Sequence, residues 1–421
     1  YATPVLLLIR RWNGSYMLFL LSMKARYGEV ETPFSLVQQM IGQIEDVGGD
    51  QWLEAGAGRG AITLPLLAYA KTVGRCPRIT AVEIQEKNCE YLAAKVDDTV
   101  NVVNQDFVAW SSKIGYDLII GNPPFNSRGL KKVPTNSKSV KKGEGITIWP
   151  AFVKKALSLL KPGGLLIYLT PCIWLKPDKA GIYGALTRGS ELKVRCFSAS
   201  ETMRLFRGKA QTPMVLFSYR SSTKPSIAVY DDASETYVQY QRTTPNGAIP
   251  MKNIRVVNRL QAGIRKHGNM DIVKSKNTRD LTQLKQEKSA EHVYPSVKTA
   301  VLDGKDCRFV VEWSREKMPY TGASKLILAH KMYGFPYLDA AGEFGIARRD
   351  IYLVVSDDLS YLEKCREILC SKIAFQMFES TRYRMRFLER YAFEFLPRSV
   401  VNTERQEGYT FNYKIDDGET S

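Results

Sequence analysis

The sequence predicts a two-domain α/β protein. A mostly parallel, Rossmann-like seven-stranded sheet fills roughly the first half, and an α+β domain follows it. Three observations carry this prediction. Apolar runs of strand length alternate with helix-length segments between residues 51 and 220, which is the pattern of a parallel sheet with crossover helices. The first run ends in a glycine-rich turn, Gly56-Ala57-Gly58-Arg59-Gly60. The next runs end in residues suited to holding a ligand at the carboxyl ends of strands.

Residues 5–9 and 16–21 are apolar, split by Arg10 and Arg11. Neither run reaches the roughly 18–20 residues of a membrane span, and no small-residue cleavage site marks a signal peptide. Residues 1–26 are read as an N-terminal segment packed on the domain, or as the end of an upstream region. Thr32-Pro33 then opens a helix, with Gly28-Glu29 before it. The first strand starts at Gln51, and a helix over 61–70 follows the glycine turn, with Pro65 in its first turns where proline is tolerated. No phosphate-binding Lys-Ser/Thr follows the glycines. The second strand, 78–83, ends in Glu83, next to Ile84. A carboxylate at that tip suits a ribose diol, and nothing nearby prepares for a pyrophosphate. The ligand expected is therefore a nucleoside rather than a dinucleotide. The third strand starts at Val100 and ends in Asp106-Phe107: an acid to accept from an adenine amine and a ring to pack on the base.

The fourth strand, 117–120, runs through Gly121 into Asn122-Pro123-Pro124-Phe125. Two prolines fix φ and remove two donors, so the turn is stiff. The Asn122 side-chain carbonyl and the backbone carbonyl of Pro123 are acceptors without a local donor, beside the aromatic face of Phe125. Such a set fits a planar ring with an exocyclic amine. Taken alone, the four residues equally describe a proline-rich turn after a core strand.

Residues 126–145 are too polar to pack, and their length points to function or disorder. They form a solvated loop, a phosphate-contacting one, or one that orders on binding. A helix over 148–160 is expected, stopped by Lys161-Pro162-Gly163-Gly164, then a fifth strand over 165–170 and a sixth over 193–197. Phe206, a short Gly-Lys segment and a strand to Phe217 follow. The composition turns polar near 221–225, which sets the domain boundary: 27–220 for the first domain and 221–410 for the second. In the second, strands are expected within 227–240, at 325–330 and at 350–355, and one helix over 359–378. Residues 380–387 interleave Arg382, Arg384 and Arg386 with aromatics, either as a phosphate-contacting element or as solvated arginines. Residues 411–421 read as a polar, frayed tail.

The net charge of +17 is unevenly placed. Residues 1–125 hold 11 basic and 13 acidic side chains, residues 126–220 hold 18 against 4, and residues 221–421 hold 31 against 26. The excess begins directly after Phe125, as a polyanionic substrate would require. Seven cysteines without a Cys-x-x-Cys pair and three scattered histidines give no zinc pattern. They are read as reduced thiols of a cytoplasmic protein, with no metal and no membrane partner.

In order, these features resemble the gamma-class N6-adenine DNA methyltransferases, which are class I S-adenosylmethionine-dependent enzymes. Residues 29–33 are similar to motif X, the glycine turn to motif I, Asn122-Pro123-Pro124-Phe125 to motif IV and the segment around Phe206 to motif VIII. The resemblance implies a class I methyltransferase domain followed by a target-recognition domain, with S-adenosyl-L-methionine as cofactor. Glu83 is then expected at its ribose, Asp106 and Phe107 at its adenine, and Glu29, Thr32 and Gly56 near its methionine end. Pro33, Glu54, Gly58, Ile84 and Asn122 complete the cofactor set. A target adenine flipped out of duplex DNA would lie between Phe125 and Phe206, with Asn122 and the Pro123 carbonyl accepting from N6 and Pro124 stiffening the turn. Phe206 also reads as a core residue at a strand edge. Arg128, Lys131, Lys132, Lys138, Lys141 and Lys142, with Arg382, Arg384 and Arg386, are the implied DNA contacts.

A cognate restriction endonuclease is a further implied partner, although no Pro-Asp…Glu-x-Lys nuclease cluster is present in this chain. Monomer and dimer stay open. Two alternatives stand beside this expectation: an RNA adenine-N6 methyltransferase, since basic charge does not distinguish the two acids, and a non-catalytic DNA-binding subunit with a methyltransferase fold.

Overall fold

The computed structural model describes residues 30–127, 145–244, 246–278, 280–303, 306–329, 336–349, 351–384, 388–399, 404–407 and 413–416. Glu29, Arg128, Lys131, Lys132, Lys138, Lys141, Lys142, Arg386 and the segment 1–26 lie outside these. The chain forms two compact units, which divide between Ala228 and Val229. No helix among the described residues is long and apolar enough to cross a membrane.

The first unit opens with α1 (Phe34–Ile41), with Pro33 at its N-cap. The order is then β1 (Gln51–Ala55), α2 (Thr63–Thr72), β2 (Arg78–Glu83), α3 (Glu86–Ala93), β3 (Val100–Asn104), β4 (Tyr116–Gly121), α4 (Trp149–Leu159), β5 (Leu160–Pro171), α5 (Ile182–Thr187), β6 (Ser190–Phe197), α6 (Ala199–Leu205) and β7 (Met214–Ser221). Seven strands of one sheet come from this unit, in the order β6-β7-β5-β4-β1-β2-β3. The pairs among β5, β4, β1, β2 and β3 are parallel, and β7 is antiparallel to both β5 and β6.

Both faces of this sheet are covered, which explains why its strands read as unbroken apolar runs. Trp52, Leu118, Ile120, Ile167 and Leu216 share one core with Leu36, Val37 and Met40 of α1, Leu66 of α2 and Leu92 of α3. Their strand neighbours Leu53, Ile119, Leu166, Tyr168 and Phe217 are equally buried, and Phe217 meets Trp174 edge to face at 5.2 Å.

Two boundaries differ from those expected. Strand β3 stops at Asn104, because Asp106 closes a turn by accepting from the Val108 N–H at 2.9 Å. Strand β5 begins at Leu160, before Lys161-Pro162-Gly163-Gly164 rather than after it. Its register on β4 jumps from Tyr116↔Leu160 to Leu118↔Leu165. Those residues form a bulge, with Gly163 at φ 75°, and Lys161 Nζ bonds Asp117 Oδ2 at 2.8 Å.

The strand β8 (Ser226–Asp231) straddles the division between units. The second unit continues with β9 (Thr236–Gln239), α7 (Ile254–His267), β10 (Val273–Lys274), β11 (Tyr294–Asp303), β12 (Asp306–Ser314), β13 (Lys325–Ala329), β14 (Tyr337–Asp339), β15 (Ile351–Val355), α8 (Leu359–Leu369), α9 (Lys372–Ser380), a 3₁₀ turn (Arg390–Phe395) and β16 (Tyr413–Asp416). Among the described residues, β10-β15-β13-β14 and β11-β12-β16 form two sheets, so the second unit is α+β.

The single helix expected over 359–378 is two. Ser371 leaves helical geometry (φ −84°, ψ 157°), and its side chain caps the new helix at Ala374 N, a role serine fills well. The polar tail expected from 411 onward also needs correcting: Tyr413–Asp416 pairs in parallel with β12, where an open sheet edge offers unpaired backbone groups.

Candidate active site

The strand ends of the first unit carry the site. After β1 the chain turns through Gly56, Gly58 and Gly60 at φ 74°, 54° and 86°, a region costly for other residues. The N–H groups of Gly56 and Ala57 donate to Val82 O at 2.9 and 3.0 Å, folding the turn across β2. Glu83 at the tip of β2 locks it further. Its Oε2 accepts from Gly58 N and its Oε1 from Gln85 N, both at 2.8 Å. Ile84, the next residue, is 45% exposed and offers an apolar surface beside that carboxylate. Asp106 is exposed and uses Oδ1 on Val108 N.

Four residues of the expected cofactor set are buried: Thr32, Glu54, Glu83 and Phe107. Phe107 is buried and packs on Phe152 (5.2 Å) and Trp110 (6.4 Å). It supports the tip of β3 from below, and Ile84 and Val108 are exposed apolar side chains at these tips. Glu54 is 1% exposed and accepts from the Thr63 hydroxyl at the start of α2. Its position on β1 turns it toward the helix, where its bond to Thr63 ties β1 to the start of α2. Burial pushes its pKa up to about 8, assisted by the nearby charge of Glu83 and opposed by the bonds from Thr63.

At the end of β4, only glycine fits at 121: a Cβ there would lie 2.9 Å from Ala55 O and 3.2 Å from Tyr168 Cε1. The chain then enters Asn122-Pro123-Pro124-Phe125 directly beside the glycine turn. A Cβ on Gly56 would lie 3.8 Å from Pro124 Cδ. Asn122 Nδ2 donates to Thr32 Oγ1 at 3.0 Å. Thr32 is itself buried, one residue before the N-cap of α1. One of the amide's two N–H donors is thereby engaged, and its Oδ1 is left as an acceptor.

Phe125 is half-buried and packs against the core cluster that contains Phe206. Phe206 is 5% exposed at the C-cap of α6, so the two expected clamp aromatics meet one cluster, with Phe206 on its buried side. Beyond the turn, Phe125 O accepts from Ile148 N at 3.1 Å. Asn126–Ser127 pairs antiparallel with Ile146–Thr147. This ribbon was missed by sequence reading, since two-residue strands leave no periodicity. The Thr32–Asn122 bond was missed as well, because its partners are 90 residues apart.

In the second unit, the two described arginines of the 380–387 element are already engaged. Arg382 pairs with Glu379 at 2.9 Å and Arg384 with Glu389 at 2.6 Å.

Residues 63–187 match the family model of the Eco57I restriction-modification methylase, a span that includes Glu83, Asp106 and the Asn122 turn. The chain is 32% identical over 162 residues to the Type II methyltransferase M.TthHB8I of Thermus thermophilus, covering 36% of each chain. It is 29% identical over 178 residues to M.AccI of Acinetobacter calcoaceticus, covering 39% of this chain and 31% of that one. The chain thus spans about a third of the length of these relatives. Among solved structures, the methyltransferase subunit of a type I restriction-modification system from Streptococcus thermophilus aligns at 16% identity and TM-score 0.37, over 54% of this chain and 52% of that one. The first unit has the parallel strand order of a Rossmann-like α/β domain, and over residues 63–187 the chain is similar to the restriction-modification methylases.

Proposed function

We propose that the chain transfers a methyl group to N6 of an adenine extruded from duplex DNA. One observation carries this reading: Thr32 accepts from the Asn122 amide nitrogen and anchors that side chain, with Oδ1 as an acceptor at the tip of β4. An exocyclic amine needs such an acceptor, and a ring oxygen or a hydroxyl acceptor does not. The Pro123 carbonyl supplies a second acceptor, and Phe125 supplies an aromatic face. Extrusion of the base is required because N6 is out of reach within the stack.

When bound, S-adenosyl-L-methionine would supply a sulfonium methyl for the N6 nitrogen, with S-adenosylhomocysteine as the leaving group and one N6 proton passing to solvent. Glu83 holds the ribose side of the pocket and the glycine turn at once, and Ile84 and Asp106 line its nucleoside end. Asn122 and Pro123 orient the amine so that its lone pair points toward the glycine turn. Their contribution is positioning and electrostatic stabilisation; no covalent intermediate is needed. The basic segment after Phe125 supports a polyanionic substrate.

Asn122→Ala tests this reading. The expected result is loss of transfer with cofactor binding retained. Turnover in that variant comparable to the parent would overturn the assignment.

A further inference from the structure

The second unit contains a cleft of about 390 Å³ that the site above does not use. Its frame is backbone. Helix α7 ends at Gly268, whose N–H bonds Ile264 O at 2.8 Å. The chain then lies against residues 396–398 through Met270 N to Leu396 O (2.8 Å) and Arg398 N to Gly268 O (3.0 Å). Tyr352 and Phe393, with rings 5.3 Å apart, form the floor.

Lys274, Arg390 and Arg398 stand on the cleft wall, all exposed. Among the described residues, none of the three is in a salt bridge. Lys274 lies over the Tyr352 ring at 5.6 Å and Arg390 over Tyr391 at 5.0 Å. Four other arginines of this unit, Arg255, Arg348, Arg382 and Arg384, are each tied to a carboxylate. Two acids share the cleft. Asp271 is exposed. Burial raises the Glu394 carboxyl above its ordinary range, with the Ala248 N–H and the Arg390 charge pulling it back. Arg265 and Lys266, exposed in the last turn of α7, add to the positive side.

We infer that this cleft is a phosphodiester-binding site for the DNA backbone, with Lys274, Arg390 and Arg398 as its cationic contacts. Two guanidinium forks and an ammonium lining one cleft are donors suited to phosphate oxygens. A set of exposed cations outside salt bridges adds affinity chiefly by displacing counterions from a polyanion, which a single small anion does not offer. The inference rests on the proposal that the substrate is duplex DNA. It also moves the expected contacts of this unit away from Arg382 and Arg384.

The test is a salt titration of binding between the full chain and a fluorescent DNA duplex. The parent is compared with the triple variant Lys274→Ala/Arg390→Ala/Arg398→Ala. Each lost contact lowers the slope of log K against log salt by about 0.9, so the triple variant is expected to lose about 2.7 in slope and at least about tenfold in low-salt affinity. Arg382→Ala should leave the slope unchanged. Arg390→Lys/Arg398→Lys, which keeps the charge, should retain most of it. A parent-like slope in the triple variant overturns the inference and leaves the methyltransferase proposal standing. The same holds if the lysine variant loses as much as the alanine variant, since the arginines would then act through packing. A parent that binds no duplex at all overturns both, and that result is read before any variant is made.

Discussion

Replacing Thr32 by valine removes one hydroxyl and keeps the side-chain shape. In the structure that hydroxyl does one thing of consequence: it accepts from Asn122 Nδ2 at 3.0 Å in a buried setting. Without it, the amide either leaves a donor unsatisfied or turns, and Oδ1 no longer stands alone at the tip of β4. A neutral hydrogen bond of this kind is worth about 0.5–1.5 kcal/mol net. At about 1.4 kcal/mol per decade of rate, kcat should fall by roughly twofold to tenfold. Pro33 and α1 are untouched, so the dissociation constant for the cofactor should stay within about twofold of the parent. Single-turnover methylation and equilibrium cofactor binding separate the two effects. Thr32→Ser, which restores the hydroxyl, should recover most of the rate. Resemblance to motif X places Thr32 at the methionine end of the cofactor instead. If Thr32→Val weakens cofactor binding about tenfold and leaves the rate constant alone, the Asn122-anchoring role is wrong.

Further outcomes follow from buried charge. Glu54 is raised from 4.5 to about 8 in the folded chain, so the fold holds a proton that the unfolded chain releases. Its contribution to stability is fully present below pH 4.5 and is lost as the pH rises toward 8. Between pH 5 and 8 this should amount to a loss on the order of 3 kcal/mol, seen in denaturant unfolding. Glu54→Gln should flatten that dependence, and an unchanged pH slope would count against the assignment. In the second unit, Lys325 is wholly buried with Asp339 at 2.6 Å, and it also donates to Tyr320 O and Ala323 O. Asp339→Asn strands that cation, so a cost of about 3–5 kcal/mol is expected. An unshifted urea midpoint would show that the ammonium is compensated elsewhere.

The strand tips were legible because their chemistry is local. Strand β2 runs from Arg78 to the acid that ends it, and the glycine turn and the two prolines mark where β1 and β4 stop. What the sequence did not disclose depends on partners distant along the chain. The bulge at Lys161–Gly164 exists only against the register of β4. The break at Ser371 looks like continuous helix until the serine is seen capping. Glu54 and Phe107 were assigned to the pocket by motif, but strand alternation and packing send both side chains inward. Arg382 and Arg384 read as available cations, and only the fold shows the carboxylates that hold them. The Thr32–Asn122 bond links two motifs that sequence treats as separate binding elements.

The most direct test is to incubate the full chain with tritium-labelled S-adenosyl-L-methionine and unmethylated duplex DNA, with total RNA in parallel, and then to hydrolyse each to nucleosides. Label in N6-methyladenine from DNA is the predicted result. Label confined to RNA, or absent from both while the cofactor still binds, would contradict the proposed function.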